Sequence, residues 1–179
     1  MGLLFVGLMA LTLEFPLYSQ TGNVLVDLMP DALGFLLTAL FLRRLRENSR
    51  LFSRGLTLCG GFFVPALVFF AYEVMEISGI STVSVLLGLV TLIGRIIALY
   101  FVVLGFKDME KNDEVELGTS PLLILLLCYA AISVIGYVAG VLIPFFRMII
   151  NVASNILALV FMVFIYRTIG KFNQIYEFK

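Results

Sequence analysis

Six apolar stretches, each close to the length that crosses a bilayer, follow one another along this chain of 179 residues. A hydrocarbon core of about 30 Å needs roughly 20 apolar residues in a helix. The stretches predict an all-α, polytopic membrane helix bundle that forms a single transmembrane domain over residues 1–179. We expect six transmembrane helices, or five if the first stretch, which contains Glu14 and Pro16, does not span. The predicted spans are 2–18, 25–42, 56–78, 82–106, 121–142 and 144–166.

Composition excludes several classes of protein. Hydrophobic residues make up 61% of the chain and charged residues 13%, whereas soluble domains are nearer half apolar and a quarter charged. A soluble enzyme and a nucleic-acid binder are therefore excluded, and the lipid bilayer is the expected surrounding. Because the chain has no histidine and its two cysteines, Cys59 and Cys128, stand far apart, we expect no metal and no cofactor.

Basic residues predict the orientation of the bundle. All the Lys and Arg residues except Arg95 and Arg147 lie in 43–54, 107–111 and 167–179, which six spans would place on one side of the membrane. Because loops rich in Lys and Arg stay in the cytoplasm, we expect both termini to be cytoplasmic and the protein to be a multi-pass protein of the cell membrane.

Acidic residues gather toward the predicted outer side. Glu14 lies near the outer end of the first span, Asp27 and Asp31 open the second span at i, i+4 spacing, and Glu73 and Glu76 close the third span. Helix capping and dipole pairing would explain Asp27 and Asp31, and a hydrated helix end would explain Glu73. The alternative is that these carboxylates form the rim of a binding site.

Deeper polar residues form the sharper signal. Arg147, Asn151 and Asn155 recur every four residues on one stripe of the last span, which fits either hydrogen bonding between helices or a ligand-lined cavity. Arg95 lies 13 residues into the fourth span, roughly 20 Å deep. Such an arginine needs a counter-charge, and an anionic ligand, Glu14 reached through water, or a structural ion pair could supply it.

Together these residues predict a polar cavity that opens outward and has Arg95 at its floor. The expected function is binding or transport of a small polar solute, such as a zwitterion or an organic cation with an acidic tail. We expect no enzymatic activity, since paired carboxylates are accompanied by no nucleophile motif.

A non-transporting structural or regulatory subunit is the alternative. Gly136 and Gly140 form a GxxxG pair that favours close helix packing. The basic loop 43–54 could then dock a cytoplasmic partner subunit or anionic lipid, although a positive-inside loop needs no partner at all.

Residues 13–62 resemble an uncharacterised family of small multi-span membrane proteins from clostridia and related Firmicutes. Members carry a block similar to IDLLPDFIGY, followed by an apolar helix and a short basic loop, and here the block reads VDLMPDALGF over residues 26–35. Ala32 and Phe35 depart from the family's usual aromatic positions. The resemblance implies a bacterial source and no particular activity. The matching positions are Asp27, Pro30, Asp31 and Gly34.

Length, six predicted spans and an outward polar site are also similar to the substrate-capture subunits of energy-coupling-factor importers. That resemblance implies capture of a vitamin or metal from outside and docking on a shared transporter module. Gly2, Gly7 and Ala10 offer a sparse version of the small residues that such subunits use for docking.

Overall fold

The computed structural model describes residues 2–13, 16–18, 24–27, 30–75, 82–142 and 144–176. These ranges contain six α-helices and one two-stranded antiparallel hairpin. The fold is therefore helical, as the sequence predicts, with a small strand pair added between the first two helices. The elements are α1 (Gly2–Thr12), β1 (Pro16–Tyr18), β2 (Val24–Asp27), α2 (Asp31–Leu45), α3 (Arg50–Val74), α4 (Thr82–Asn112), α5 (Thr119–Leu142) and α6 (Pro144–Tyr176).

Four helices, α3 to α6, are long and apolar enough to cross a membrane. Their apolar segments contain between 21 and 31 residues, and at about 1.5 Å per residue even the shortest covers the hydrocarbon core. The structure thus supports a multi-pass membrane protein and agrees with the last four predicted spans.

The first two predicted spans differ from the expected continuous helices. α1 has 11 residues and α2 has 15, so they extend about 16 Å and 22 Å and do not cover a 30 Å core. The outer part of each span is strand instead, with Pro16 opposite Asp27 in the hairpin. Pro30 precedes α2 in an extended conformation, and a proline there disfavours helix in the residue before it.

Several contacts bring the basic segments to one end of the bundle, here called the basic end. The Ser49 hydroxyl donates to the Asp108 carboxylate at 2.6 Å, which joins the α2–α3 turn to α4. The rings of Phe106 and Phe172 meet edge to face at 5.5 Å, and the Lys171 ammonium donates to the Glu116 carbonyl at 3.3 Å. The α2–α3 turn, the α4–α5 loop and the end of α6 therefore share one level.

α1 and α4 carry much of the core. Leu4, Leu8 and Leu11 of α1 are fully buried, and α4 has 44% of its most apolar window buried, compared with 17–22% for the other three long helices. The edge-to-face contact of Phe5 with Tyr166 at 5.6 Å places the start of α1 beside the end of α6. The N-terminus of α1 and the C-terminal part of α6 therefore lie at the basic end.

α1 and α2 pack closely because glycine lies at their contact. A Cβ atom on Gly34 would lie 2.7 Å from the Leu11 Cγ and 3.0 Å from the Leu11 backbone nitrogen. The backbones could not keep this separation with any larger residue, since such approaches are too short for carbon and nitrogen atoms. Gly34 thus has a packing role at the α1–α2 contact.

We expect Gly34→Val to destabilise the protein by about 1–3 kcal/mol, because the added carbons overpack the α1–α2 contact. Chemical unfolding in detergent micelles would measure the loss. Gly60→Val is the matched control, since a Cβ on Gly60 meets no atom within 4 Å. Equal losses in the two variants would contradict the packing role of Gly34.

Candidate functional site

Two helix ends meet in the interior of the bundle. α1 ends at Thr12 and α2 begins at Asp31, and the packing of Gly34 against Leu11 sets these ends beside each other. Since α2 runs about 21 Å from Asp31 to the basic end, both helix ends lie near mid-height. Backbone that stops being helical at this depth needs other polar partners.

Tyr129 of α5 supplies one of these partners. Its hydroxyl donates to the Thr12 carbonyl at 3.2 Å, and the tyrosine is 2% exposed. The Thr12 hydroxyl donates in turn to the Leu8 carbonyl at 2.8 Å. Near the end of α1, side-chain hydroxyls thus donate to the carbonyls of Leu8 and Thr12, and the Leu13 backbone N–H donates to the Met9 carbonyl at 2.9 Å.

Arg95 and Asp31 form an ion pair at the same level. The Arg95 Nη1 lies 3.7 Å from the Asp31 Oδ1, and the side chains are 6% and 19% exposed. Arg95 is 13 residues into α4, about 20 Å from its start, and Asp31 is the first residue of α2. A carboxylate at a helix N-terminus also interacts favourably with the helix dipole, so Asp31 meets two positive partners.

Aromatic packing encloses this pair on the side of α3. The ring of Phe62 fills the space that a side chain at Gly94 would occupy, immediately before Arg95 in α4. The same ring stacks with Phe35 of α2 at 6.1 Å. Apolar walls lower the local dielectric, which strengthens the attraction between Arg95 and Asp31 and raises the cost of exposing either charge alone.

Further polar contacts lie on α5 and α6, farther from the basic end than the Arg95–Asp31 pair. The hydroxyls of Ser133 and Ser154 are 3.2 Å apart, and Ser133 lies one helical turn beyond Tyr129 on α5. Asn155, which follows Ser154, is partly buried and makes a polar contact of its own. Asn151 lies one turn farther out and is also partly buried. The stripe on α6 thus faces α5 at Ser154, as hydrogen bonding between helices requires.

Gly136 and Tyr137 connect the C-terminal half of α5 to α6 and α4, respectively. Ile150 of α6 occupies the space that a side chain at Gly136 would need, so this member of the GxxxG pair has the predicted packing role. The Tyr137 hydroxyl donates to the Val85 carbonyl of α4. For Gly140, the structure describes the backbone but not its surroundings.

The other predicted site residues fall into two groups. Glu73 lies in the last turn of α3, is partly buried and makes a contact of its own. It is about 16 Å along the helix from Phe62. Glu73 therefore lies near the rim of the predicted cavity rather than beside Arg95. Glu14 and Glu76 lie outside the described residues, and for Asp27 and Arg147 the backbone is described but not the side chain.

Asp31 requires a correction. The sequence indicated an outer position for Asp31, one that capping or a rim would explain, whereas the structure places it at mid-height as a counter-ion of Arg95. The reason is that α2 begins at Asp31, after Pro30, instead of at residue 25. The structural ion pair that sequence reasoning left open for Arg95 is therefore present.

Tyr129 is a residue that sequence reasoning missed. The sequence also offers Tyr72, Tyr100 and Tyr137 as amphipathic lining for the predicted cavity. Tyr100 is 40% exposed, and its ring packs on Phe101. Tyr129 carries no distinguishing pattern in its apolar helix. Its role depends on where α1 ends.

Within the described ranges, no group of three or more Asp, Glu or Cys side chains is arranged to hold a metal ion. Comparison with known proteins found no matching family model, no matching curated protein and no matching solved structure.

We expect Arg95→Met and Asp31→Leu each to lower the free energy of unfolding by about 3–5 kcal/mol, since each removes one member of a largely buried ion pair. The double variant Arg95→Met/Asp31→Leu removes both charges and should recover most of the loss. Chemical unfolding of the three variants in micelles gives the coupling energy. Strictly additive losses would show that the two side chains do not depend on each other.

Tyr129→Phe should cost about 1 kcal/mol, because it deletes the hydrogen bond to the Thr12 carbonyl and leaves that buried carbonyl without a side-chain donor. The same unfolding measurement tests it. Tyr100→Phe is the control, since the Tyr100 side chain is exposed. No difference between the two variants would argue against a capping role for Tyr129.

Proposed function

We propose that this chain is a bacterial cell-membrane protein that binds or transports a small polar solute bearing an anionic group. The solute enters from outside and its anionic group is recognised by Arg95. The observation that carries the proposal is the Arg95–Asp31 pair at mid-height, where two helices end inside the bundle.

Interrupted helices near the bilayer midplane are a recurrent way to build solute sites in membrane transporters. Exposed backbone groups and half-helix dipoles at the break offer binding groups that a continuous helix lacks. In this chain, the N-terminus of α2 and the guanidinium of Arg95 both present positive charge at the break. An anionic group is the ligand that this combination favours.

The geometry of the ion pair also supports a recognition role. Its 3.7 Å separation is longer than the 2.7–2.9 Å typical of a charge-assisted hydrogen bond. A solute carboxylate of the proposed kind would compete with Asp31 for the guanidinium of Arg95. A solute that also carries a cation can then pair with Asp31, which favours a small zwitterion.

The direction of access follows from the distribution of charge. The basic end contains the exposed arginines of 43–54 and Arg167, and by the positive-inside tendency this end is cytoplasmic. The hairpin of β1 and β2, Glu73 and the partly buried Asn151 and Asn155 are then in the outer half. Of these, Glu73, Asn151 and Asn155 supply the polar groups of the proposed route from the outer surface to Arg95.

A second candidate is a non-transporting subunit of a membrane complex. The Ser133–Ser154 bond and the packing of Gly136 on Ile150 are the contacts expected of a structural bundle, and the Arg95–Asp31 pair could serve packing alone. In that case the exposed loop 43–54 is the surface that a cytoplasmic partner would use.

Ligand binding separates the two candidates. We expect a panel of small carboxylates and zwitterions to include compounds that raise the unfolding temperature of the wild-type protein in micelles. Arg95→Met/Asp31→Leu should keep the fold and lose that response, because the recognising charges are gone while the volume remains. Asn112→Asp, at the exposed basic end of α4, is a control that should respond as wild type does.

Native mass spectrometry of protein purified gently from its host provides the second readout. A small molecule retained by wild type and absent from the double variant supports the solute site. A panel without a stabilising compound, together with stoichiometric partner subunits in the spectrum, would favour the structural candidate instead.

A further inference from the structure

An apolar groove lies on the bundle surface between α1 and α6. Its volume is about 510 Å³, within the range of small-molecule sites in proteins. One wall comes from the outward side of α1 and the other from α6, and Arg167 stands at one end. Its apolar lining includes Phe5, Met9, Leu13, Leu159 and Val163.

The groove spans about half of the bundle height. From Leu159 to Arg167 along α6, and from Phe5 to Leu13 along α1, the distance is about 12 Å. One leaflet of a 30 Å hydrocarbon core is about 15 Å thick. The groove therefore reaches from the basic end to the midplane, which suits an acyl chain of one leaflet, whereas a partner transmembrane helix would need an apolar surface of full bilayer height.

Charge at the mouth of the groove selects the head group. Arg167 is exposed, and its guanidinium lies 6.0 Å from the centre of the Phe164 ring. Among the described side chains, none forms an ion pair with Arg167. An arginine at the interface is a good partner for a phosphate oxygen.

We propose that this groove binds one anionic phospholipid, with an acyl chain between α1 and α6 and its phosphate on Arg167. The site is separate from the proposed solute site, which lies at Arg95. Binding also supports α1, because the acyl chain would cover the half-buried Met9 one turn before this short helix ends. Lipid bound there thus stabilises the helix end that Tyr129 caps.

Matched variants test the groove and the charge separately. Val163→Trp fills the groove, while Val160→Trp adds the same bulk on the same helix at a valine that does not line it. Arg167→Gln removes the charge at the mouth, while Arg54→Gln removes an exposed charge on α3 at the same end. Each variant is purified in micelles with equal amounts of phosphatidylglycerol and phosphatidylcholine and studied by native mass spectrometry.

We expect wild type, Val160→Trp and Arg54→Gln to retain one phosphatidylglycerol in preference to phosphatidylcholine. Val163→Trp should lose retention of both lipids. Arg167→Gln should keep a lipid but lose about five-fold of the preference for the anionic one, the effect of one interfacial arginine. Phosphatidylglycerol should raise the unfolding temperature of wild type and not that of Val163→Trp.

Three results would overturn the proposal. Undiminished retention in Val163→Trp would show that the lipid binds elsewhere. An unchanged preference in Arg167→Gln, or an equal loss in Arg54→Gln, would show that the head group responds to the general charge of the basic end. The unfolding temperatures of the lipid-free variants separate these results from misfolding.

Discussion

Two helices of this bundle end in its interior, and a backbone that ends there must find partners for its polar groups away from water. Tyr129 donates to the Thr12 carbonyl at the end of α1, and Asp31 at the start of α2 pairs with Arg95 of the central helix α4. Two other helices, α4 and α5, thus supply the polar partners at this level of the molecule. The close packing of Gly34 on Leu11 holds the two helix ends together, so loss of that contact would disturb both polar partnerships.

The Arg95–Asp31 pair and the two helix ends beside it are also the basis of the proposed function. A buried ion pair adds little stability over a well-packed apolar pair, and this is one physical ground for proposing that Arg95 and Asp31 recognise a solute. Because the first two predicted spans are broken, the part of this region farther from the basic end contains the β1–β2 hairpin and polar side chains on α5 and α6. On the opposite half of the bundle, the groove between α1 and α6 leaves the short helix α1 exposed to lipid. Solute on one side of the midplane and lipid on the other would both act on the α1 end.

Much of the helical layout could be predicted from hydrophobic length alone, since α3 to α6 agree with the last four predicted spans. Arg95 stood out because an arginine so deep in an apolar stretch is costly. Its partner was misplaced, because α2 was expected to begin several residues before Asp31 and so to put that carboxylate near the outer surface. Pro16 and Pro30 were the available signals for shorter helices, but prolines are tolerated in transmembrane helices and do not by themselves predict a strand. Tyr129 could not be distinguished from the other tyrosines without knowing where α1 stops.

The sequence by itself determined that this chain is a membrane protein, that four of its segments are long helices, and that its basic segments lie at one end of the bundle. Hydrocarbon thickness and the cost of burying charge act on each segment separately, so these features can be read segment by segment. Tertiary structure decided which charge faces Arg95, which hydroxyl caps α1, and where the groove beside Arg167 lies. Those contacts join residues far apart in the chain, such as Thr12 with Tyr129. They depend on the relative height of neighbouring helices, which helix packing sets and which no local pattern of residues encodes.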